Sequence, residues 1–277
     1  MIKEALLSYF QAQQATVLNN WQSAKSEHDV DALHDLRVGI KRLKALYQVL
    51  DPLSGGKFEY KTHFEDIRQL FKAVGKLRDI QVQNRLFTYF AKETPLEDYK
   101  DFYRELQKSA EDESVQLKSA LQSFKPQVME DSINDTAVFL EGYTDKKAIK
   151  QTLKYLNKRL KQVKDLLPFK KDELLMHEMR SRVKQAYYII ELLKLMQPDL
   201  EAVEDAKGIK LAGELLGQWH DHAVLSDQIR NFLNEACEDD DFDSEPYSDI
   251  LKRIKKEGNQ LLKRGRKVLK ALRLSVV

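Results

Sequence analysis

Cysteine is nearly absent from this sequence, since Cys237 is the only one among 277 residues. A single cysteine excludes an intramolecular disulfide framework and fits a reducing compartment. The N-terminus also lacks the long apolar stretch and small-residue cleavage site of a signal peptide, and no apolar run is long enough to span a membrane. We therefore expect a soluble, cytoplasmic protein that makes no contact with a membrane.

Proline and glycine are scarce as well, with six and ten residues respectively. Together with a charged fraction of 32%, this scarcity favours long helices over a β-rich fold. Basic and acidic residues nearly cancel, 46 against 44, which leaves a formal charge of only +2. Any charged binding site must therefore come from an uneven local distribution of these residues.

Helical periodicity, interrupted by prolines and loop-forming segments, predicts eight helices. They cover residues 2–27, 30–51, 58–92, 96–124, 145–167, 172–197, 200–236 and 245–274. The segment 127–144 is the best candidate for a linker between two halves. We therefore predict one all-α domain over 1–277, in which two antiparallel four-helix bundles, 1–126 and 145–277, are related by a pseudo-two-fold.

A basic helical motif occurs twice in the chain. It reads HDLRVGIKRLK at 34–44 and HEMRSRVKQAY at 177–187, an offset of 143 residues. The residues shared by the two copies are His34 and His177, Arg37 and Arg180, and Lys41 and Lys184. Each pair occupies the same position in its copy, which points to one helical unit used twice.

A second motif follows each copy of the first. It reads VGKLRDIQV at 74–82 and LGQWHDHAV at 216–224, so that Gly75 and Asp79 recur as Gly217 and Asp221 at an offset of 142. A glycine inside a helix costs roughly 1 kcal/mol relative to alanine, so its repetition predicts a structural reason. A helix kink and a close approach of another group are both open explanations.

The repeated cations lie on one side of each predicted helix. At about 100° per residue, Arg37 and Lys41 fall directly beside the apolar stripe that includes Leu36 and Ile40. Cations in this position are held by the packing beneath them. Arginine offers fork-shaped donors that match phosphate oxygens, and lysine adds a mobile charge. Two such rows placed face to face would form a site for a polyanion.

These four motif copies resemble the pattern of the CHAD family, the conserved histidine α-helical domain. The resemblance covers essentially the whole chain. It implies two four-helix bundles around a basic central surface, binding of inorganic polyphosphate, and association with polyphosphate granules. Many relatives carry a triphosphate-tunnel domain before this one. The present chain starts directly with its first predicted helix, so we expect no such catalytic partner in cis.

The resemblance assigns polyphosphate binding to cations of all four motif copies. They are His34, Arg37, Lys41, Arg42, Lys44 and Arg78 in the first half, and His177, Arg180, Lys184 and His220 in the second. Gln185 and Tyr187 stand where the first copy has two further cations, so the second half is expected to bind more weakly. His220 replaces an arginine and would make that half pH-sensitive.

Asp79 and Asp221 belong to the same motifs but would repel phosphate. We expect each of them to pair with a neighbouring arginine or histidine and orient it. Two further helices, predicted at 145–167 and 245–274, carry basic rows. The accessory contacts predicted there are Lys154, Lys158, Lys256, Lys263 and Arg266. A charge run is usually a solvated face, and this interpretation stays open, above all for 145–167.

Metal and catalytic sites find little support. The repeated histidines could be neutral core residues, and His34 and His177 lack the nearby cysteine or acidic partners of a zinc site. The sequence has no P-loop, no HExxH motif and no nucleophile elbow. We therefore expect a protein that is not an enzyme and needs no metal or cofactor.

Two other binding functions stay open. The same cations could bind nucleic acid weakly, with Tyr187 and Trp219 as stacking surfaces, although no helix-turn-helix, zinc-finger or RNP motif is present. Alternatively, the helices could form a scaffold whose basic surface meets an acidic protein. The oligomeric state does not follow from the sequence.

Overall fold

The structure is a computed structural model of the chain. It describes residues 2–27, 30–54, 58, 60–92, 95–142, 144–169, 172–200, 205–236 and 243–274. Cys237 lies outside these ranges.

Within the described residues the chain folds into nine α-helices and contains no strand, which confirms the all-α prediction. The helices are α1 (Ile2–Glu27), α2 (Val30–Leu53), α3 (Tyr60–Ala91), α4 (Lys100–Ser123), α5 (Gln127–Glu141), α6 (Asp145–Leu166), α7 (Glu173–Met196), α8 (Ala206–Ala236) and α9 (Glu245–Ala271). A 3₁₀ turn, Leu96–Tyr99, precedes α4. No helix in this part of the chain has the length and apolar content needed to cross a membrane.

Each of the eight predicted stretches contains a helix, although α8 begins at Ala206 and α9 ends at Ala271, and the segment 127–144, predicted as a linker, contains a further helix, α5. Its buried face consists of Met129, Ser132, Thr136 and Leu140. Two of these four residues are polar, so hydroxyl side chains make up half of the face that this helix buries. The buried hydroxyls are nevertheless satisfied, because Thr136 donates to the Ser132 carbonyl at 2.7 Å and Ser132 lies 2.6 Å from the Tyr47 hydroxyl.

The two motif helices meet in the middle of the molecule, where α2 packs against α7. Each is flanked by the long helix that carries the glycine–aspartate motif, since α3 packs on α2 and α8 packs on α7. The helices α3 and α8 also touch each other. All four motif copies are thereby brought to one region of the fold.

The predicted apolar stripes form the core beneath this region. On α2 the residues Leu36, Ile40 and Leu43 are fully buried, and on α7 so are Met179 and Val183. They belong to a large hydrophobic cluster that draws on α1 to α9. A second, aromatic cluster joins the far ends of α3 and α8 to the beginnings of α4 and α9. Each cluster therefore combines residues from both predicted halves.

Candidate anion-binding site

Four motif cations converge where α2 meets α7. They are Arg37 and Lys41 on α2 and Arg180 and Lys184 on α7, here called the central cationic cluster, and all four are partly buried. The pKa of Lys41 responds to Arg37 on its own helix and to Lys184 and Arg180 on the facing helix. This coupling places the two copies of the basic motif within one electrostatic environment.

The cluster carries more positive charge than its surroundings neutralise. Burial, followed by the charges of Arg37, Lys184 and Arg180, lowers the pKa of Lys41 to about 7. Burial, Arg180 and Arg37 lower the pKa of Lys184 to about 8, although Asp221 and Asp79 act in the opposite direction. Because an ordinary lysine has a pKa near 10.4, these shifts describe amines that a bound anion would stabilise in their protonated form.

The two motif aspartates lie beside the cations of the cluster. Asp79 Oδ1 is 3.6 Å from Nη2 of Arg37, and its charge also reaches Arg180. Asp221 is half-buried, and burial raises the pKa of its carboxyl while Arg180 and Lys184 act to lower it. Asp79 is therefore within ion-pair distance of Arg37, whereas Asp221 acts on Arg180 through its charge.

Gly75 owes its place in the motif to close packing with Arg37. A Cβ atom at residue 75 would overlap Nη1 of Arg37 and would lie 3.2 Å from its Cζ. The same guanidinium lies 4.9 Å from the ring of Phe71, one helical turn earlier. At Gly217 the nearest atom is Nζ of Lys184 at 3.9 Å, which leaves room for a methyl group. The close-approach explanation therefore applies at Gly75.

The histidines of the two copies differ in environment. His34 is exposed on α2. His177 is partly buried, with its ring 5.0 Å from Trp219 and 4.8 Å from His220, and its Nε2 lies 3.9 Å from Glu173. An aromatic cluster thus borders the α7 side of the central cationic cluster.

His220 is not the pH-sensitive group expected from the sequence. Burial lowers its pKa to about 3, and the charges of Arg180, His177 and Lys184 act in the same direction. It is therefore neutral near pH 7, where Lys41 titrates instead. Its Nδ1 is buried and has no hydrogen-bond partner within the described part of the chain.

The other predicted cations of the first half surround the cluster. Nε of Arg42 lies 3.6 Å from Glu191 on α7, so a carboxylate already faces this guanidinium. Nζ of Lys44 lies 5.0 Å from the ring of Phe64. Arg78 donates to Gln81 at 3.3 Å. These side chains are near the cluster and held by other partners.

The predicted accessory cations fall into two groups. Lys154 and Lys158 on α6, and Lys256 and Lys263 on α9, are exposed. Arg266 is buried, so the prediction of a surface contact there is wrong. Its guanidinium donates to the carbonyl oxygens of Leu167 and Phe169, directly after α6. Carbonyl groups at the end of a helix have no partner within the helix, and this explains why a cation lies in the interior.

Several residues of the site were not singled out from the sequence. Phe64 and Phe71 support cations of α2, and Glu191 faces Arg42 across the contact between α2 and α7. A signal for the two phenylalanines does exist, since they precede Gly75 by eleven and four residues and so share its helix face. Among the described residues, no three histidine, cysteine or acidic side chains are grouped so that they could hold a metal ion.

Comparisons with known proteins agree with this architecture. The fold is similar to the crystal structure of the CHAD domain from the plant Ricinus communis, with a TM-score of 0.71, 20% identity, and coverage of 99% of this chain and 93% of that chain. It is also similar to PptA from Streptomyces chartreusis, with a TM-score of 0.64, 14% identity and 97% coverage of each chain.

A comparison with curated protein sequences found no match. A sequence model of the CHAD domain matches residues 8–230, which is most of the chain and includes all four motif copies. The chain therefore belongs to the CHAD domain family.

Proposed function

We propose that this protein binds inorganic polyphosphate, without catalysis, at the central cationic cluster. The observation that carries the proposal is that α2 and α7 pack together and each supplies one partly buried arginine and one partly buried lysine, Arg37 and Lys41 facing Arg180 and Lys184. Four cations this close together repel one another, and a bound anion with many oxygens would offset that repulsion. Arginine forks and lysine amines are the donors that phosphate groups accept from.

The roles of the surrounding residues follow from their positions. Arg37 and Arg180 would bind phosphate oxygens, and Asp79 and Asp221 would orient them. Membership of the CHAD family supports this reading, since the resemblance implies polyphosphate binding by these motif residues. We also propose that the protein is cytoplasmic and associates with polyphosphate granules, which present a dense array of such anions.

The site is built, we propose, by an internal duplication with pseudo-two-fold symmetry. Reciprocal packing supports it, because α1 contacts α7 while its counterpart α6 contacts α2. The pairs α2 with α3 and α7 with α8 correspond in the same way. On this view each half supplies one basic helix, and neither half contains the complete site.

Nucleic-acid binding is a weaker candidate. Trp219 is only 7% exposed, so its ring faces offer little area for base stacking. Tyr187 is partly buried and donates its hydroxyl to Glu191 at 3.0 Å. Sequence-tolerant binding of single strands relies on accessible aromatic faces beside the cations, and these two residues do not provide them.

The test is direct binding of long-chain polyphosphate to the purified protein across a salt series. Single-stranded DNA and RNA are measured at the same concentration of phosphate. We expect tight binding of polyphosphate that weakens steeply with salt and exceeds binding of either nucleic acid. Equal or tighter binding of nucleic acid would favour that alternative. Absence of binding to all three polymers would favour a scaffold for an acidic protein.

A further inference from the structure

A basic groove lies between the end of α3 and α9, outside the central cationic cluster. Its cavity measures about 450 Å³. Its lining residues are Tyr89 and Phe90 on α3, and Arg253, Lys256, Glu257, Gln260, Leu261 and Arg264 on α9. Lys256 and Arg264 are exposed, and Tyr89 is 50% exposed. We call this surface the α3–α9 groove.

The charge of the groove favours an anion. Among the described residues, three cations line it and Glu257 is the one acidic side chain. A carboxylate oxygen of Glu257 lies 3.5 Å from Nε2 of the buried His222, which can neutralise it only when the imidazole is protonated. The cation Lys92, directly after α3, adds to the basic surface, and its Nζ lies 5.1 Å from the ring of Tyr89.

The groove and the central site lie along the same side of α3. At about 100° per residue, Gly75, Asp79 and Tyr89 lie within a sector of about 80° on this helix. The rise of about 1.5 Å per residue places Tyr89 about 15 Å beyond Asp79. Arg78 and Arg85 border the same sector, and the charge of Arg85 is close enough to lower the pKa of Arg78, after the larger effect of burial.

We infer that the α3–α9 groove is a second subsite for the same polyanion, so that a long polyphosphate chain spans both sites while a short one occupies only the central cluster. This inference rests on the proposed function. Once one segment of a long chain is bound, another segment is present at the groove at a high effective concentration. The protein therefore binds long chains more tightly than short ones, although it contacts neither end of the chain.

The groove suits a phosphate chain better than a nucleic acid. A phosphate chain needs cations at intervals and no stacking surface. The one exposed aromatic side chain of the groove, Tyr89, has the amine of Lys92 over its ring, which occupies a face that a base would use. Binding of single-stranded DNA is accordingly an outcome that the experiment must distinguish.

The experiment compares tripolyphosphate with long-chain polyphosphate, using the full chain and two variants. One variant carries Lys256→Glu and Arg264→Glu in the groove. The matched control carries Lys108→Glu and Lys118→Glu, two exposed positions on α4, and so changes the net charge by the same amount. Affinities are measured by titration across a salt series, and circular dichroism reports the helical content of each variant.

We expect the groove variant to lose about tenfold or more in affinity for the long chain, with a shallower salt dependence, and to keep its affinity for tripolyphosphate within about twofold. The control should bind the long chain with nearly the wild-type affinity. Equal losses in the groove variant and the control, or none in either, would overturn the inference and leave the proposed function in place.

Two further outcomes separate the hypotheses. If the wild-type protein binds neither phosphate ligand, the proposed function itself fails, and the inference fails with it. If single-stranded DNA binds more tightly than long-chain polyphosphate and Tyr89→Ala weakens that binding, the groove is a nucleic-acid site and the inference is overturned. Tighter binding of the long chain that Tyr89→Ala leaves unchanged would support the inference.

Discussion

The two copies of the basic motif place arginine in different surroundings. Arg37 is confined by the backbone of Gly75, the ring of Phe71 and the carboxylate of Asp79. Arg180 is also partly buried, burial lowers its pKa, and the charges of Asp221 and Asp79 both reach it. Equal positions in a repeat therefore do not imply equal roles. The first copy holds its arginine by direct contacts, whereas the arginine of the second copy is influenced by the carboxylates of both motif aspartates.

The neighbours of the two arginines also differ in charge. In the first half Arg78 borders the site as a charged side chain, whereas its counterpart His220 is neutral near pH 7. Beyond the cluster, Tyr187 replaces Lys44. The second half therefore has fewer cations around its arginine than the first. An anion held between the halves would meet more positive charge on the side of α2 than on the side of α7.

The largest effect should come from removing both arginines. We expect Arg37→Glu combined with Arg180→Glu to weaken polyphosphate binding by about a hundredfold or more, because each charge-assisted hydrogen bond contributes about 1.5–3 kcal/mol. Titration with polyphosphate measures the loss, and circular dichroism should show unchanged helicity. Near-normal affinity in a folded double variant would move the site away from α2 and α7.

The single reversals test the asymmetry between the halves. We expect Arg37→Glu to weaken binding more than Arg180→Glu, by a factor of about three, since the first copy contributes more cations and like charges act together. The same titration applies to both variants. Equal losses, or a larger loss from Arg180→Glu, would show that the second copy contributes at least as much as the cation-rich first copy.

The two motif glycines offer a sharper comparison. Gly75→Ala would displace the guanidinium of Arg37, so we expect binding to weaken about tenfold, the equivalent of one charge-assisted contact. Gly217→Ala meets only Lys184 at 3.9 Å and should bind nearly normally. Gly217→Ala should gain up to about 1 kcal/mol of helix stability, measured by urea unfolding, whereas in Gly75→Ala the displacement of Arg37 should offset that gain. Equal binding by the two variants would contradict the role given to Gly75.

The pH dependence of binding should follow the lysines of the cluster. A bound polyanion raises the pKa of Lys41 from about 7 and that of Lys184 from about 8, so binding takes up protons. Affinity should therefore fall several-fold as the pH rises from about 6 to about 9. Calorimetry in two buffers of different ionisation enthalpy measures the uptake. Lys41→Arg should reduce it, because arginine stays protonated.

The smallest effect is expected at the exposed lysines of α6. Lys154→Glu with Lys158→Glu should change polyphosphate affinity by about twofold or less, because solvated charges at a distance are screened by salt. Titration at low and physiological ionic strength tests this. A loss of affinity as large as that caused by reversing Arg37 or Arg180 would show that α6 belongs to the site and that α2 and α7 do not form it alone.

Much of the fold could be predicted from the sequence because its helices are long and separated by prolines. The apolar stripes of α2 and α7 follow from periodicity alone, and they are buried as predicted. The prediction of a linker missed α5, although the apolar period of this helix is no weaker than that of α2. Half of the face that α5 buries is Ser132 and Thr136, whose hydroxyls are satisfied by partners that only the folded structure provides.

The candidate site was predictable in part for similar reasons. The repeat identified Arg37, Lys41, Arg180 and Lys184, because residues four apart share a helix face. It could not reveal that Arg266 donates to carbonyl groups after α6, because Arg266 and its partner Leu167 are 99 residues apart in the sequence. Nor could it reveal the low pKa of His220, which depends on burial and on charges from α7.

An experimental structure of the complex with tripolyphosphate would show most directly whether cations from both copies bind one polyanion. We expect phosphate groups between α2 and α7, with oxygens within hydrogen-bonding distance of Arg37 and Arg180 at the same time. Phosphate bound to only one of the two motif helices, or bound solely on α6 or α9, would contradict it.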